Sequence, residues 1–242
     1  MAIANLSPHD RYAIVGKTGV GKTQEAIVLA SFFAQGLPAP WEVWWIDTKG
    51  VEDDIKTLRS WGFCNGSSDK DMQRPGGLRN ALYFMISGST VDGVYYDTVT
   101  LAQAKMQEAY NRRNVIVVVD EYTQVCPSEQ NPGYALRDIF TRGRGRNVGL
   151  IGLTQEPVRI PRMLLSQASH LALFSVTHTP DIKRLKELCP TYVPPIKQGD
   201  RYGFYWSHED GSAQWAYYQN QKKWAEGLNF AMPTKPKERS GS

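Results

Sequence analysis

The sequence predicts an α/β fold: a central, mainly parallel sheet flanked by helices, with an antiparallel β-hairpin towards the C-terminus. Three observations predict it. Apolar runs and helical patterns alternate along the chain. One apolar run, residues 115–119, is all β-branched, the pattern of a strand buried on both faces. Beyond Pro190 the texture changes to two stretches rich in alternating aromatics around Glu209-Asp210-Gly211, the pattern of a hairpin.

The elements follow in order. Residues 11–15 read as the first strand, and a glycine-rich turn separates it from a helix over 23–35, where Ala26, Ile27, Ala30 and Phe33 share a face. Gly36 and Pro38 end that helix. Residues 41–47 form a second strand, 51–61 a helix, and 65–77 a polar Gly/Ser/Asp surface loop. A third strand is expected at 82–86, a helix at 98–113, and the buried strand at 115–119. A helix at 135–146 ends in alternating Arg and Gly, followed by strands at 148–153 and 171–176. The hairpin strands are expected at 202–207 and 213–218, and the Pro-containing basic stretch 233–242 as a disordered tail. The expected organisation is one domain over 1–232, with a core at 11–176 and an extension carrying the hairpin at 190–220.

Composition narrows the class. Hydrophobic residues make up 41% and charged residues 21% of the 242 positions, an ordinary globular balance that excludes global disorder and a coiled coil. No stretch approaches the roughly 20 apolar residues of a membrane span, and the N-terminus lacks a signal-peptide layout. The expectation is a soluble protein working inside a cell. Cys64, Cys126 and Cys189 lie far apart without a CxxC pair, which points to reduced, packed thiols, and the four histidines are scattered. A net charge of +4 is compatible with a polyanionic partner and decides nothing alone.

Two segments carry the chemistry. Gly16-Lys17-Thr18-Gly19-Val20-Gly21-Lys22-Thr23 fits GxxxxGK[ST] between a predicted strand and a predicted helix. Glycines let the backbone N–H groups of such a loop turn towards phosphate oxygens, and the helix N-terminus adds positive potential. Lys22 is expected to reach the β- and γ-phosphates of ATP, and Thr23 to offer its hydroxyl to Mg2+. The run VIVVVDE, residues 115–121, delivers two acids at the C-terminal end of a buried strand, the end where parallel sheets bind ligands. Asp120 is expected to hold Mg2+ through water, and Glu121 to polarise the attacking water. Asp47-Thr48-Lys49-Gly50 also fits the DxxG of GTPases, but no NKxD-type segment occurs, and a GTPase reading leaves Asp120-Glu121 without a role. A nucleotide kinase would need a lid and an acceptor pocket, whereas Glu121 beside Asp120 suits water. An ATP-bound adaptor would not require the full Lys22, Asp120, Glu121 set.

The segment from Arg142 to Pro157 links the site to its surroundings. Gln155, at the tip of the strand expected beside the loop-bearing strand, could hydrogen-bond the γ-phosphate or its water. An arginine among Arg142, Arg144 and Arg146 could reach the ATP of a neighbouring subunit, and the alternative for each is a solvated or DNA-facing basic strip.

On the residues GKTGVGKT (16–23), WWIDTKG (44–50), VIVVVDE (115–121) and GRNVGLIGLTQEP (145–157), the chain resembles the FtsK/HerA superfamily of DNA-pumping ATPases. Ile160-Pro161 to Ser166-Gln167 is also similar to HerA members, so the resemblance spans roughly residues 11–175. It implies a RecA-like (ASCE) P-loop NTPase fold, ATP and Mg2+ as ligands, Asp120 and Glu121 as the Walker B pair, Gln155 as the polar sensor, and Arg146 as the motif arginine. Thr48 stands where many members carry Pro, which leaves the role of that loop open. FtsK proteins and conjugative coupling proteins carry membrane segments and cellular HerA proteins an N-terminal barrel. Only about ten residues precede the first predicted strand. The resemblance therefore points to the genome-packaging ATPases of tailless icosahedral, membrane-containing double-stranded DNA viruses, with a plasmid or cellular HerA-like translocase as the alternative. It implies a homo-oligomeric ring, pentamer or hexamer, gripping double-stranded DNA without reading its sequence. Arg112, Arg113, Arg142 and Arg144 are candidate grips. Capsid-vertex or viral membrane proteins are candidate partners, and host cytoplasm and virion, or otherwise the cytoplasm, the expected locations. The ring-bearing residues Tyr202, Phe204, Tyr205, Trp206, Trp215, Tyr217 and Tyr218 read as a core face or subunit contact in preference to a base-stacking platform.

Overall fold

A computed structural model describes residues 4–38, 40–60, 62–66, 80–84, 89–91, 94–194, 203–208, 213–217 and 228–230. In chain order the elements are β1 (Ala4–Leu6), β2 (Arg11–Val15), α1 (Lys22–Gly36), β3 (Glu42–Asp47), α2 (Glu52–Ser60), β4 (Cys64–Asn65), β5 (Asn80–Phe84), β6 (Ser89–Val91), β7 (Val94–Tyr96), α3 (Thr98–Arg112), β8 (Val115–Val119), α4 (Tyr122–Val125), α5 (Tyr134–Arg146) and β9 (Val148–Thr154). A 3-10 turn (Pro157–Arg159), α6 (Arg162–Ser166), β10 (His170–Leu173), α7 (Thr179–Leu188), β11 (Gly203–His208), β12 (Ala213–Tyr217) and β13 (Leu228–Phe230) complete the series.

Among the described residues nine strands form the central sheet in the order β12-β11-β10-β2-β9-β8-β3-β5-β4. From β10 to β4 every pairing is parallel, and β11 and β12 are added antiparallel at the β10 edge. Strand β9 lies between the glycine-loop strand β2 and the acid-bearing strand β8, so it can report on both. The register pairs Val15 with Thr154, Gly152 with Val119, and Val119 with Ile46. The C-terminal ends of β2, β9, β8 and β3 therefore lie side by side, and the residues that follow them share one edge of the sheet.

Strand alternation divides the core into two layers. Val115, Val117 and Val119 pack with Met106 of α3 and Ile139 of α5 on one face, while Ile116 and Val118 pack with Leu29 and Phe33 of α1 on the other. Both faces of β8 are covered, which is why its sequence shows no polar alternation. Gly152 is required by close approach: a Cβ there would fall 1.8 Å from the Tyr122 ring, which covers the strand.

The predicted elements recur with shifted ends. The helix expected at 135–146 is Tyr134–Arg146, and the hairpin strands are Gly203–His208 and Ala213–Tyr217, with the intervening turn outside the described residues. The strand expected at 171–176 is His170–Leu173, because Ser175 leaves the ladder and its carbonyl accepts from Lys17 N at 2.9 Å. The strand expected at 82–86 is Asn80–Phe84, and most of the loop 65–77, with the tail 233–242, lies outside the described residues. Helix α7 was not expected. Its charged sequence buries little besides Leu185, and its signal was Pro180 at the start with Asp181 in the first turn. The small β6-β7 and β1-β13 pairs were also not expected; in the latter β1 lies parallel to β13. All three cysteines are free thiols, Cys126 and Cys189 buried.

Candidate active site

The glycine loop is anchored at both sides. Gly16 N donates to Thr154 O at 3.2 Å and Lys17 N to Ser175 O at 2.9 Å, tying its first residues to the strands flanking β2. Gly19 and Gly21 adopt φ of +77° and +100°, conformations that favour glycine. Gly21 precedes α1 without any side-chain cap, so the first helical N–H groups keep their positive end open towards the loop.

Lys22 is only 6% exposed, and its Nζ donates to Lys17 O at 2.9 Å. Burial pushes its pKa down to about 8, with Glu121 opposing the shift and Lys49 adding to it. The ammonium thus sits folded back on its own loop, poorly solvated, where a phosphate oxygen would be a stronger acceptor than a carbonyl. Thr23 lies half-buried in the first turn of α1.

Asp120 and Glu121 follow β8 directly, both 4% exposed. Asp120 Oδ1 accepts from Thr48 N at 3.0 Å and from Thr48 Oγ1 at 2.6 Å. Burial pushes the Asp120 carboxyl up to about 7; Lys49 and Thr48 oppose that and Asp47 adds to it. Neither oxygen of Glu121 has a hydrogen-bond partner, and the Lys49 ammonium stands 3.9 Å from Oε2. A buried carboxylate with open lone pairs can accept hydrogen bonds from a water molecule, and the ammonium beside it holds it in place.

Gln155 joins the glycine loop, because the Thr18 hydroxyl donates to its Oε1. Beside this link opens a cleft of about 380 Å³, lined among others by Lys17, Thr18, Val176, His178 and Asp181, of a size that suits a nucleoside. The turn after Gln155 is strapped to α7: Val158 N donates to Asp181 Oδ1 at 3.1 Å, and Arg184 donates to Val158 O and Ile160 O at 3.3 and 3.1 Å.

The structure thus brings together Gly16 to Thr23, Asp120, Glu121 and Gln155. It does not bring the three candidate arginines to them. Arg142, Arg144 and Arg146 precede the first residue of β9 and lie at the opposite edge of the sheet. Arg144 is 3.6 Å from Asp10, and the Arg146 guanidinium lies 4.9 Å over the Tyr110 ring. Of the candidate grips, Arg112 is held by Glu42 through two bonds of 2.9 and 2.7 Å, while Arg113, Arg142 and Arg144 are exposed. Among the described aromatics, Phe204 and Trp206 are buried core residues, so the hairpin does not present them to bases.

Among the described residues no group of three or more His, Cys, Asp or Glu could hold a metal unaided. The oxygen donors of Thr23 and Asp120 fit Mg2+, which takes few protein ligands and completes its shell with water and phosphate. The sequence missed the approach of Thr48 and Lys49 to the acids; its only signal was the WWIDTKG segment itself.

No family model matches the chain, and no curated protein matches it in sequence. Solved structures share its fold. The genome packaging NTPase B204 from Sulfolobus turreted icosahedral virus 2 in complex with ATP-gammaS superposes with a TM-score of 0.63 at 16% identity, over 87% of this chain and 98% of that chain. The same protein in complex with AMP gives 0.61 at 18% identity, over 87% and 98%. EssC (ATPases 2 and 3) from Geobacillus thermodenitrificans gives 0.59 at 15% identity, over 90% of this chain and 43% of that chain. The fold expected from the FtsK/HerA resemblance, that of a P-loop ATPase with a mainly parallel sheet, is the fold observed.

Proposed function

We propose that the chain is an ATP-driven translocase of double-stranded DNA, a genome-packaging ATPase of the viral kind. One observation carries the hydrolytic half of this reading: at a single sheet edge, Glu121 presents a buried carboxylate without hydrogen-bond partners, next to Asp120 and 3.9 Å from the Lys49 ammonium. The reading takes water, in place of an acceptor hydroxyl, as the group whose proton this carboxylate accepts.

In the proposed mechanism the glycine loop and Lys22 bind the β- and γ-phosphates, and Lys22 exchanges its carbonyl partner for phosphate oxygen. Thr23 and Asp120, the latter through water, would hold Mg2+, which supplies charge neutralisation across the phosphates. Glu121 orients the attacking water and takes its proton. Gln155, held by Thr18, contacts the γ-phosphate side of the site, and its strapped turn carries the change to α7. Arg146, with Arg142 and Arg144 as alternatives, acts on a neighbouring copy in a pentameric or hexameric ring, since in its own chain it lies at the far edge. Arg113, Arg142 and Arg144 are exposed cations offered to DNA phosphates.

The packaging role rests on the family resemblance and on the shared fold with B204, a genome packaging NTPase. Capsid-vertex or viral membrane proteins would then dock the ring in the host cytoplasm and virion. Among the described residues no helix is long and apolar enough to cross a membrane. A plasmid or cellular translocase uses the same site and differs in its docking partner. Steady-state phosphate release by the purified chain, with and without duplex DNA of unrelated sequences, tests the proposal. It predicts stimulation by every duplex and loss of turnover in Glu121→Gln; phosphate transfer to a nucleotide acceptor would refute it.

A further inference from the structure

The turn leaving β3 is hydrogen-bonded to its own first residue and lies against both acids. Asp47 Oδ1 accepts from Lys49 N and Gly50 N, each at 2.9 Å, and Gly50 closes the turn at φ +67°. It presents two adjacent side chains to the end of β8, and they divide their contacts. Thr48 spends both its amide and its hydroxyl on one oxygen, Asp120 Oδ1, leaving Oδ2 as the oxygen open to a hydrated cation. Lys49 anchors its ammonium on the Asp120 carbonyl at 2.7 Å and stands 3.9 Å from both Asp120 Oδ2 and Glu121 Oε2. At that distance it attracts the Glu121 carboxylate and leaves both of its oxygens free to accept hydrogen bonds from water.

We propose that Thr48 and Lys49 are positioning residues of the phosphate site, Thr48 orienting Asp120 for the metal and Lys49 holding Glu121 for the attacking water. The inference rests on the ATPase reading above. A turn that only stabilised the fold would affect metal use and turnover alike, or neither; the proposed division separates them. Thr48→Val removes the hydroxyl bond and keeps the amide.

The test is binding of ATPγS to the full chain against Mg2+ concentration, with an EDTA control, followed by turnover. Thr48→Val is expected to need about 3–10-fold more Mg2+ for half-maximal binding, with binding in EDTA within about twofold of wild type. Lys49→Met is expected to bind Mg2+-ATPγS within about threefold of wild type and to lose about 30-fold or more in kcat, partly restored in Lys49→Arg. An unchanged Mg2+ requirement in Thr48→Val, an equal change in EDTA, or wild-type turnover in Lys49→Met would overturn it. If Thr48→Val does not fold, Thr48→Ala compared with Thr48→Ser carries the same contrast, Ser behaving as wild type. Absence of Mg2+-dependent binding in the wild type would instead sink the ATPase reading itself, so the two failures are distinguishable.

Discussion

Lys22 carries a buried ammonium on the glycine loop, and the burial of that charge costs the fold stability. Its pKa of about 8 lies below the ordinary lysine value because burial disfavours the charge. The folded chain therefore sheds this proton more readily than the unfolded chain. The cost to stability is complete below pH 8 and fades as pH rises towards the unfolded value of about 10.5. Lys22→Met is accordingly expected to unfold with a higher midpoint at pH 7, by about 1–3 kcal/mol after losing the bond to Lys17 O, and to bind no nucleotide. Thermal melts from pH 7 to 10 should show the gain shrinking; a variant less stable than wild type at pH 7 would contradict the account. Glu121→Gln separates binding from chemistry: about 10²–10⁴-fold lower kcat with ATP affinity within a few-fold is expected, read by single-turnover and binding assays. These two residues were legible in the sequence because each belongs to a contiguous motif at a strand end. The Thr48 bond to Asp120 was not, since it joins positions 72 apart and depends on β3 lying next to β8.

At the scale of elements, the sheet edge is organised by what its connections are fastened to. Gln103 on α3 donates to Val125 O and Pro132 O, both at 2.9 Å, and accepts from Ala135 N at 3.0 Å, so one buried amide pins the connection between the acids and α5. Gln103→Leu leaves those backbone groups unpaired, and a loss of about 2–4 kcal/mol in a denaturant melt is expected; a change below about 0.5 kcal/mol would show the staple to be dispensable. Helix α7 braces the turn after Gln155 through Asp181 and Arg184. The sequence showed the long periodic helices and the double-faced strand β8, because their apolar spacing is set by burial on known faces. It did not show α7, whose residues answer to hydrogen bonds with the 157–160 turn more than to the core. Strand ends also moved where backbone groups serve the glycine loop, as at Ser175.

For the whole molecule, the nucleotide edge and the arginine edge lie at opposite ends of the same strands, and a single chain cannot join them. A ring can, if the arginine edge of one copy meets the nucleotide edge of the next. Arg146→Ala is therefore expected to lower the protein-concentration-dependent part of ATP turnover by about 10³-fold or more and to leave the turnover of dilute chain unchanged; identical concentration dependence in variant and wild type would remove Arg146 from that role. The proposal as a whole is that hydrolysis at the Glu121 site moves the ring along duplex DNA. The most direct measurement is displacement of a third-strand oligonucleotide from a duplex by the purified chain. Displacement that requires ATP, proceeds on duplexes of any sequence and fails with Glu121→Gln is the predicted result; ATP hydrolysed at the full DNA-stimulated rate with the third strand left in place would contradict it.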